Sequence, residues 1–406
     1  MNDVTIICIL GMHRSGTSVL ARVLNLLGVY LGPPDRLMPA APENPRGFWE
    51  HLDITRLNDA LLGRLGGTAL DPAPVEADPW DGPQFSDLRQ AAVALLRHDF
   101  ADANMWGWKD PRTCLTLPFW QRLLPPMRYV LTLRQPFAVV HSLERRDRLT
   151  VEQALHLWLS HVQLALRHTK EEPRCLVFYE DLLVHWRDEV PRLAAFIGEA
   201  GKAECPEARA AIAEFVDLDL QHHRTASTEA IEGNRRGDTT EAARLAQSAY
   251  DVLHREGLAR AETACAMIEH ALKLLAPEVA RQAALRREAV HRHWSEALQA
   301  LRTSLAELVP HGSRFILADE AQTGLQCPDR EAIPFLERDG MYWGSPVDDG
   351  TAVRELERLR HSRAALIAFA WPAFWWLDYY TGLHTYLRSN FRCVREDQHL
   401  IAFQLG

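Results

Sequence analysis

A β-rich apolar run from Val4 to Leu10 gives way to the polar loop GMHRSGTS, and apolar positions return at helical spacing in SVLARVLNLLG. The pattern predicts a strand, a glycine-bearing loop and a helix, an order that turns the free amides of a helix N-terminus toward an anion. Proline-rich stretches from Gly32 to Pro45 and from Asp71 to Pro83 read as loops, with a helix through ITRLNDALLGRL between them. A helix near Ser86 to His98 precedes MWGWKDPR, a strand-like segment that runs into a turn at Asp110 and Pro111. RYVLTLR reads as a strand ending at Arg134, and Pro136 opens the helical FAVVHSLERR. Val151 to His168 forms a long amphipathic helix, and CLVFYEDLL is a buried strand leading into another. This alternation predicts an α/β fold, a P-loop-like and mainly parallel sheet with helices on both faces.

Beyond Gly198 the pattern turns helical. QHHRTASTEAIEGNRRGDTTE is polar and turn-rich and reads as a substrate loop or a connector; its His222, His223 and Arg224 are three adjacent groups able to close over an anion. Thr240 to Val309 reads as a helical linker. In the last hundred residues RFILADE, AALIAFAW and HLIAFQL read as strands and ELERLRHSR as a helix, a second small α/β domain. The expected division is 1–235, 236–310 and 311–406, without internal repeats. WPAFWWLDYY suits core and interdomain packing better than a binding face.

A chain of 406 residues, 47% hydrophobic, supports substantial cores. Its formal charge of -9 argues against a generic nucleic-acid binder while leaving room for a local basic site. Cys8, Cys114, Cys175, Cys205, Cys265, Cys327 and Cys393 stand singly, which suits reduced thiols rather than a disulfide framework or a zinc site. The N-terminal apolar run is too brief for a membrane span and lacks a signal peptide's basic region, so a cytoplasmic protein is expected, with peripheral membrane association still compatible. Nothing in the sequence sets the oligomeric state.

The chemistry concentrates in four places. In the loop, Gly11 and Gly16 keep the spacing of a phosphate-binding loop, but Thr17 stands where its lysine belongs. Arg14 can supply the cation, Ser15, Thr17 and Ser18 hydroxyls and the backbone amides, without the magnesium arrangement of a kinase. Arg134 and Ser142, eight residues apart across a strand-to-helix corner, can reach one phosphate. Lys109, Asp110 and Arg112 gather charge at a strand end, where Asp110 can brace Arg112 or Arg14. Glu50, His51 and Asp53 in NPRGFWEHLDITRLND are candidate proton acceptors.

GMHRSGTS, LRQPFAVVHSLERR, WGWKDPRTC and FYEDLL, in this order, resemble the P-loop sulfotransferase superfamily over residues 4 to 225, and bacterial sulfotransferase-like proteins in particular. The resemblance implies 3'-phosphoadenosine 5'-phosphosulfate as donor and no metal. It assigns Gly11, His13, Arg14, Ser15, Gly16, Thr17 and Ser18 to the phosphosulfate loop, Arg134 and Ser142 to the 3'-phosphate, and Lys109 with Arg14 to the charge that develops on transfer. Pro111 stands where soluble small-molecule sulfotransferases carry a catalytic histidine. The base must lie elsewhere, and Glu50 is preferred over His51 and Asp53, since tyrosylprotein and glycan sulfotransferases use a glutamate from this region. FYEDLL is read as architecture, with Tyr179 at the sheet edge and Glu180 or Asp181 capping a helix.

YWGSPVDDGTAVRELERLR and WPAFWWLDYY resemble an α/β module attached to some bacterial polysaccharide or glycan-processing enzymes, which implies a saccharide or glycolipid acceptor. Asp348 and Asp349 suit a helix-capping turn better than sugar contacts. The excess of arginine over lysine is compatible with a high-GC bacterial source. The alternatives are an atypical P-loop nucleotide kinase using ATP and magnesium, and a noncatalytic nucleotide-dependent scaffold whose aromatic C-terminal domain binds a glycan or partner.

Overall fold

The computed structural model describes residues 4–41, 44–73, 79–216, 240–325, 327 and 329–406. They divide into two compact units, Met1–Ala283 and Ala284–Gly406, so the expected linker 236–310 is shared between them. His222, His223 and Arg224 lie outside the described residues.

In the first unit, β1 (Thr5–Leu10), β2 (Met105–Lys109), β3 (Arg128–Leu133) and β4 (Arg174–Phe178) form a wholly parallel sheet in the order β2-β1-β3-β4. Alternate residues of β1 feed two cores, as the two-residue period of a strand requires. Ile6, Cys8 and Leu10 pack under one layer of helices, while Ile7 and Ile9 pack under the other. The first layer draws on α2 (Leu52–Arg64), α3 (Ser86–Asp99), α4 (Thr113–Leu123), α5 (Pro136–Asp147), α6 (Val151–His168), α9 (Glu241–Glu256) and the first turns of α10 (Ala261–Leu308). The second is built by α1 (Thr17–Leu26), α7 (Tyr179–Val184) and α8 (Trp186–Ile197). Between α8 and α9, residues 200–204 and 206–216 are also helical.

Local sequence explains several boundaries. Thr150 and Gln153 form a capping box at the start of α6, and Pro136 begins α5 where its missing N–H costs nothing. The parallel topology brings the carboxyl ends of β1, β2 and β3 together, the usual place for a ligand in such a sheet.

The second unit has a mixed sheet in the order β10-β11-β9-β5-β6, formed by β5 (Arg314–Ala318), β6 (Glu331–Pro334), β9 (Ala364–Ala370), β10 (Arg392–Glu396) and β11 (Leu400–Gln404), with a short hairpin β7 (Glu337–Arg338) and β8 (Met341–Tyr342). Asp348 caps α11 (Asp349–Arg360) by accepting a hydrogen bond from the Thr351 amide at 2.6 Å, while Asp349 accepts from the Leu383 amide at 2.8 Å. The aromatic run splits: Trp376, Leu377 and Tyr380 join the core, while Trp375 and Tyr379 are 42% and 70% exposed. All seven cysteines are free, and no helix among the described residues is long and apolar enough to cross a membrane.

Candidate active site

The loop after β1 is shaped by close approach and by left-handed backbone. A Cβ on Gly11 would lie 2.6 Å from the Thr132 side chain on β3, so the strands close only over glycine. Arg14 and Gly16 take φ of 67° and 80°, which curls the loop around Ser15, whose amide donates to the Met12 carbonyl at 3.1 Å. Thr132 Oγ1 donates to the Ser15 carbonyl at 3.2 Å and fixes the curl to the sheet. Thr17, buried, opens α1.

Arg134, at the end of β3, donates to the Arg14 carbonyl at 3.0 Å, and its guanidinium lies 4.8 Å from the centre of the Tyr179 ring. Arg14 Nε donates to Ser142 Oγ on α5 at 2.8 Å. The expected pair, Arg134 and Ser142, is therefore gathered into one corner through Arg14. Tyr179 closes that corner, because a Cβ on Gly16 would sit 2.0 Å from its ring. Tyr179 is thus architectural at the edge of the sheet, as FYEDLL suggests, and walls the loop as well, whereas neither Glu180 nor Asp181 caps α7 through its side chain, since both lie inside its first turn. Glu180 links the corner to later sequence by accepting from the Gln135 amide at 3.1 Å and from the Tyr250 hydroxyl at 3.0 Å. Burial, then the charges of Arg146 and Arg134, hold the Arg14 guanidinium below its ordinary value, so an anion here would relieve crowded positive charge.

The second cluster lies at the end of β2. Lys109 is 1% exposed, forms an ion pair with Glu50, and donates to Ser18 Oγ at 3.3 Å. Asn44 Nδ2 also donates to Ser18 Oγ, at 3.2 Å. The loop, Lys109 and Glu50 are thus contiguous. His51 instead faces Asp99, with Nε2 3.0 Å from Oδ2, and Asp53 pairs with Arg36 and Arg56. Of the three candidate proton acceptors, Glu50 is the one in contact with Lys109.

Asp110 braces Arg112 rather than Arg14: it accepts from Arg112 Nη1 at 2.9 Å, from the Arg112 amide at 3.1 Å and from Asn58 Nδ2 at 2.8 Å. Burial pushes this carboxyl up to about 6 against the opposing pull of Arg112. His13 turns away from the corner toward α6, where its ring meets His161 edge-on at 6.2 Å between centroids.

Ligand atoms of His51, Asp53 and Asp99 lie within 4.8 Å of one another, a set able to hold a metal ion. Their charges are already opposed, since Arg36 and Arg56 hold Asp53, and His98 approaches Asp99 at 2.5 Å. A separate cavity of about 1290 Å³ among α2, α4, α6 and α10, lined by Leu62, Leu115, His156 and Leu272, includes neither the loop nor Lys109 nor Glu50.

Among known proteins, the chain is 32% identical over 98 residues to a Caenorhabditis briggsae protein named for protein-tyrosine sulfotransferase activity, a match covering 22% of this chain and 35% of that one. The chain thus spans about a third of the length of that relative. Among solved structures, the sulfotransferase domain from the Synechococcus PCC 7002 olefin synthase is 21% identical, covering 48% of this chain and 74% of that one with a TM-score of 0.32. Sulfotransferase STF9 from Mycobacterium avium is 16% identical, covering 55% and 69% with a TM-score of 0.33. Residues 7–202, which hold the loop, Glu50, Lys109, Arg134 and Ser142, match the model of the sulfotransferase family, and the chain carries a sulfotransferase-family domain there.

Proposed function

We propose that this protein transfers a sulfonate group from 3'-phosphoadenosine 5'-phosphosulfate to a hydroxyl or amine acceptor. The observation that carries the reading is the convergence of Arg14, Arg134 and Ser142 on one side of the loop with Lys109 and Glu50 on the other, at the carboxyl ends of β1, β2 and β3. A donor with phosphate at both ends of its ribose needs two anion sites joined by one loop. The loop amides with Ser15, Thr17 and Ser18 hold the 5' end, and Arg134 with Ser142 holds the 3'-phosphate.

In the transfer, a bond forms between the acceptor atom and sulfur as the bond from sulfur to the 5'-phosphate oxygen breaks, its electron pair leaving on the phosphate. Glu50 takes the acceptor's proton, and Lys109 and Arg14 meet the negative charge that grows on the leaving oxygen. The Lys109–Glu50 pair keeps base and electrophilic cation in register before donor arrives. We further read 1–235 as the transferase part, 236–310 as linker and 311–406 as accessory domain, in a cytoplasmic bacterial protein. A saccharide or glycolipid acceptor is supported by the resemblance of the C-terminal segment and by its exposed Trp375 and Tyr379.

Calorimetric titration with adenosine 3',5'-bisphosphate and with ATP plus magnesium tests the reading. Selective bisphosphate binding, lost in Arg134→Ala, is expected. Selective ATP binding, or none by folded protein, would overturn it in favour of a kinase or a scaffold.

A further inference from the structure

Helix α9 lies beyond residue 202, where the matched family domain ends, yet it packs against α5 and α6. Its buried residues Ala246, Ala249, Tyr250 and Leu253 follow the spacing of a single helical face. Alanine and leucine there fill the core and need nothing more. Tyr250, 3% exposed, also brings a hydroxyl, and a buried hydroxyl needs a partner.

That partner is Glu180, whose Oε2 accepts from the Tyr250 hydroxyl at 3.0 Å while its Oε1 accepts from the Gln135 amide at 3.1 Å. Gln135 joins Arg134, just past the end of β3, to Pro136, the first residue of α5, the helix that carries Ser142. One carboxylate therefore ties α9 to the backbone between the two residues assigned to the 3'-phosphate. The same carboxylate belongs to α7, whose Tyr179 ring packs against the Arg134 guanidinium. His254, one turn further along α9, repeats the attachment: its ring stacks on Tyr250 at 5.7 Å between centroids, meets Phe178 edge-on at 4.6 Å, and places Nε2 2.9 Å from Asp181 Oδ2. Burial, then the Glu180 charge, push the Tyr250 hydroxyl above its ordinary range, so it keeps its proton and donates it.

We propose that Tyr250 is a positioning residue for the corner that receives the donor's 3'-phosphate. By holding Glu180 it holds the Gln135 backbone, and so sets where Arg134 stands relative to Ser142. Tyr250 itself touches no ligand. The assignment rests on the sulfotransferase reading and goes beyond it, because it gives a helix outside the matched domain, in a segment expected to be linker, a part in donor selection.

The test compares adenosine 3',5'-bisphosphate with adenosine 5'-monophosphate, which lacks the 3'-phosphate, by calorimetry on the full chain. Tyr250→Phe removes one hydroxyl and is expected to weaken the bisphosphate about fivefold, within the worth of a hydrogen bond, and the monophosphate less than about twofold. Equal weakening of both ligands, which a merely structural role would give, overturns the assignment. If the monophosphate binds too weakly to titrate, a double-mutant cycle on bisphosphate affinity decides. In a Glu180→Ala background Tyr250→Phe is expected to have no further effect, and a second loss as large as the first overturns the relay. Hydrogen exchange supplies a readout without ligand: the Gln135 amide is expected to exchange faster in Tyr250→Phe, and an unchanged rate overturns the tie. An unaltered, folded chain that binds neither ligand overturns the sulfotransferase reading, and this assignment with it. Undiminished bisphosphate binding by Tyr250→Phe overturns the assignment alone.

Discussion

Glu50 and Lys109 form a buried pair that the proposed transfer divides between base and cation. Glu50→Gln keeps the side-chain volume and a hydrogen-bonding oxygen but cannot take a proton. Turnover is therefore expected to fall by about 10² to 10⁴, the usual contribution of a general base, with bisphosphate affinity changed less than about threefold. Single-turnover transfer and calorimetry check the two halves, and a variant with ordinary turnover would move the base away from Glu50.

His161 makes a prediction of the opposite kind, about stability. Burial pushes it down to about 4 from an ordinary 6.5. The unfolded chain takes up its proton first as pH falls, so the neutral, buried ring contributes stability that is complete above pH 6.5 and lost on falling through pH 4. The shift corresponds to about 3 kcal/mol. Asp110, raised to about 6, works in the other sense, with stability present below its ordinary 3.8 and lost as pH rises through 6. Urea unfolding of His161→Phe at pH 7 and pH 4.5 should show a smaller acid loss than the unaltered chain, by about 2 kcal/mol. Equal acid losses would mean that His161 is protonated in the folded protein.

At the scale of elements, the strand, loop and helix unit was legible because glycine spacing, apolar period and strand end coincide within Val4 to Leu26. The span of α6 and the start of α5 were legible too, from amphipathic period and from Pro136. What the sequence hid was contact between distant segments. Nothing in GMHRSGTS shows that Arg14 reaches Ser142, that Tyr179 roofs Gly16, or that His13 meets His161, because each pair is set by the parallel stacking of β1, β3 and β4 and the helices over them. Strand β10 escaped notice since RCVRE carries three charges and only partly buries its residues. Two glycines show the same distinction in energetic form. Gly16 has φ of 80° and no room beside Tyr179, so Gly16→Ala is expected to destabilise by about 1–3 kcal/mol and to lose bisphosphate binding. Gly63, inside α2 with nothing within 4 Å of an added Cβ, should instead gain about 0.5–1 kcal/mol on change to alanine. Thermal unfolding of the two variants would separate a glycine required by the site from one tolerated by a helix; matching shifts would remove the special place given to Gly16.

For the molecule as a whole, the matched family domain ends at residue 202, whereas the chain continues through a second unit with its own core. Trp376 anchors that core: it is fully buried, packs against Phe335 and Tyr380, and donates its indole N–H to Glu320 at 3.0 Å. Truncation to alanine leaves both a large void and an unpartnered carboxylate oxygen, and is expected to cost about 3–5 kcal/mol. Every residue assigned to donor binding lies in the first unit, so the bisphosphate affinity of Trp376→Ala should match that of the unaltered chain. The proposed saccharide acceptor predicts a fall in transfer to glycosides. Calorimetry for the nucleotide and a glycoside panel for transfer resolve the two effects. Lost nucleotide binding would show that the second unit shapes the donor site, while unchanged binding and transfer would leave its exposed aromatic residues without a part in the reaction.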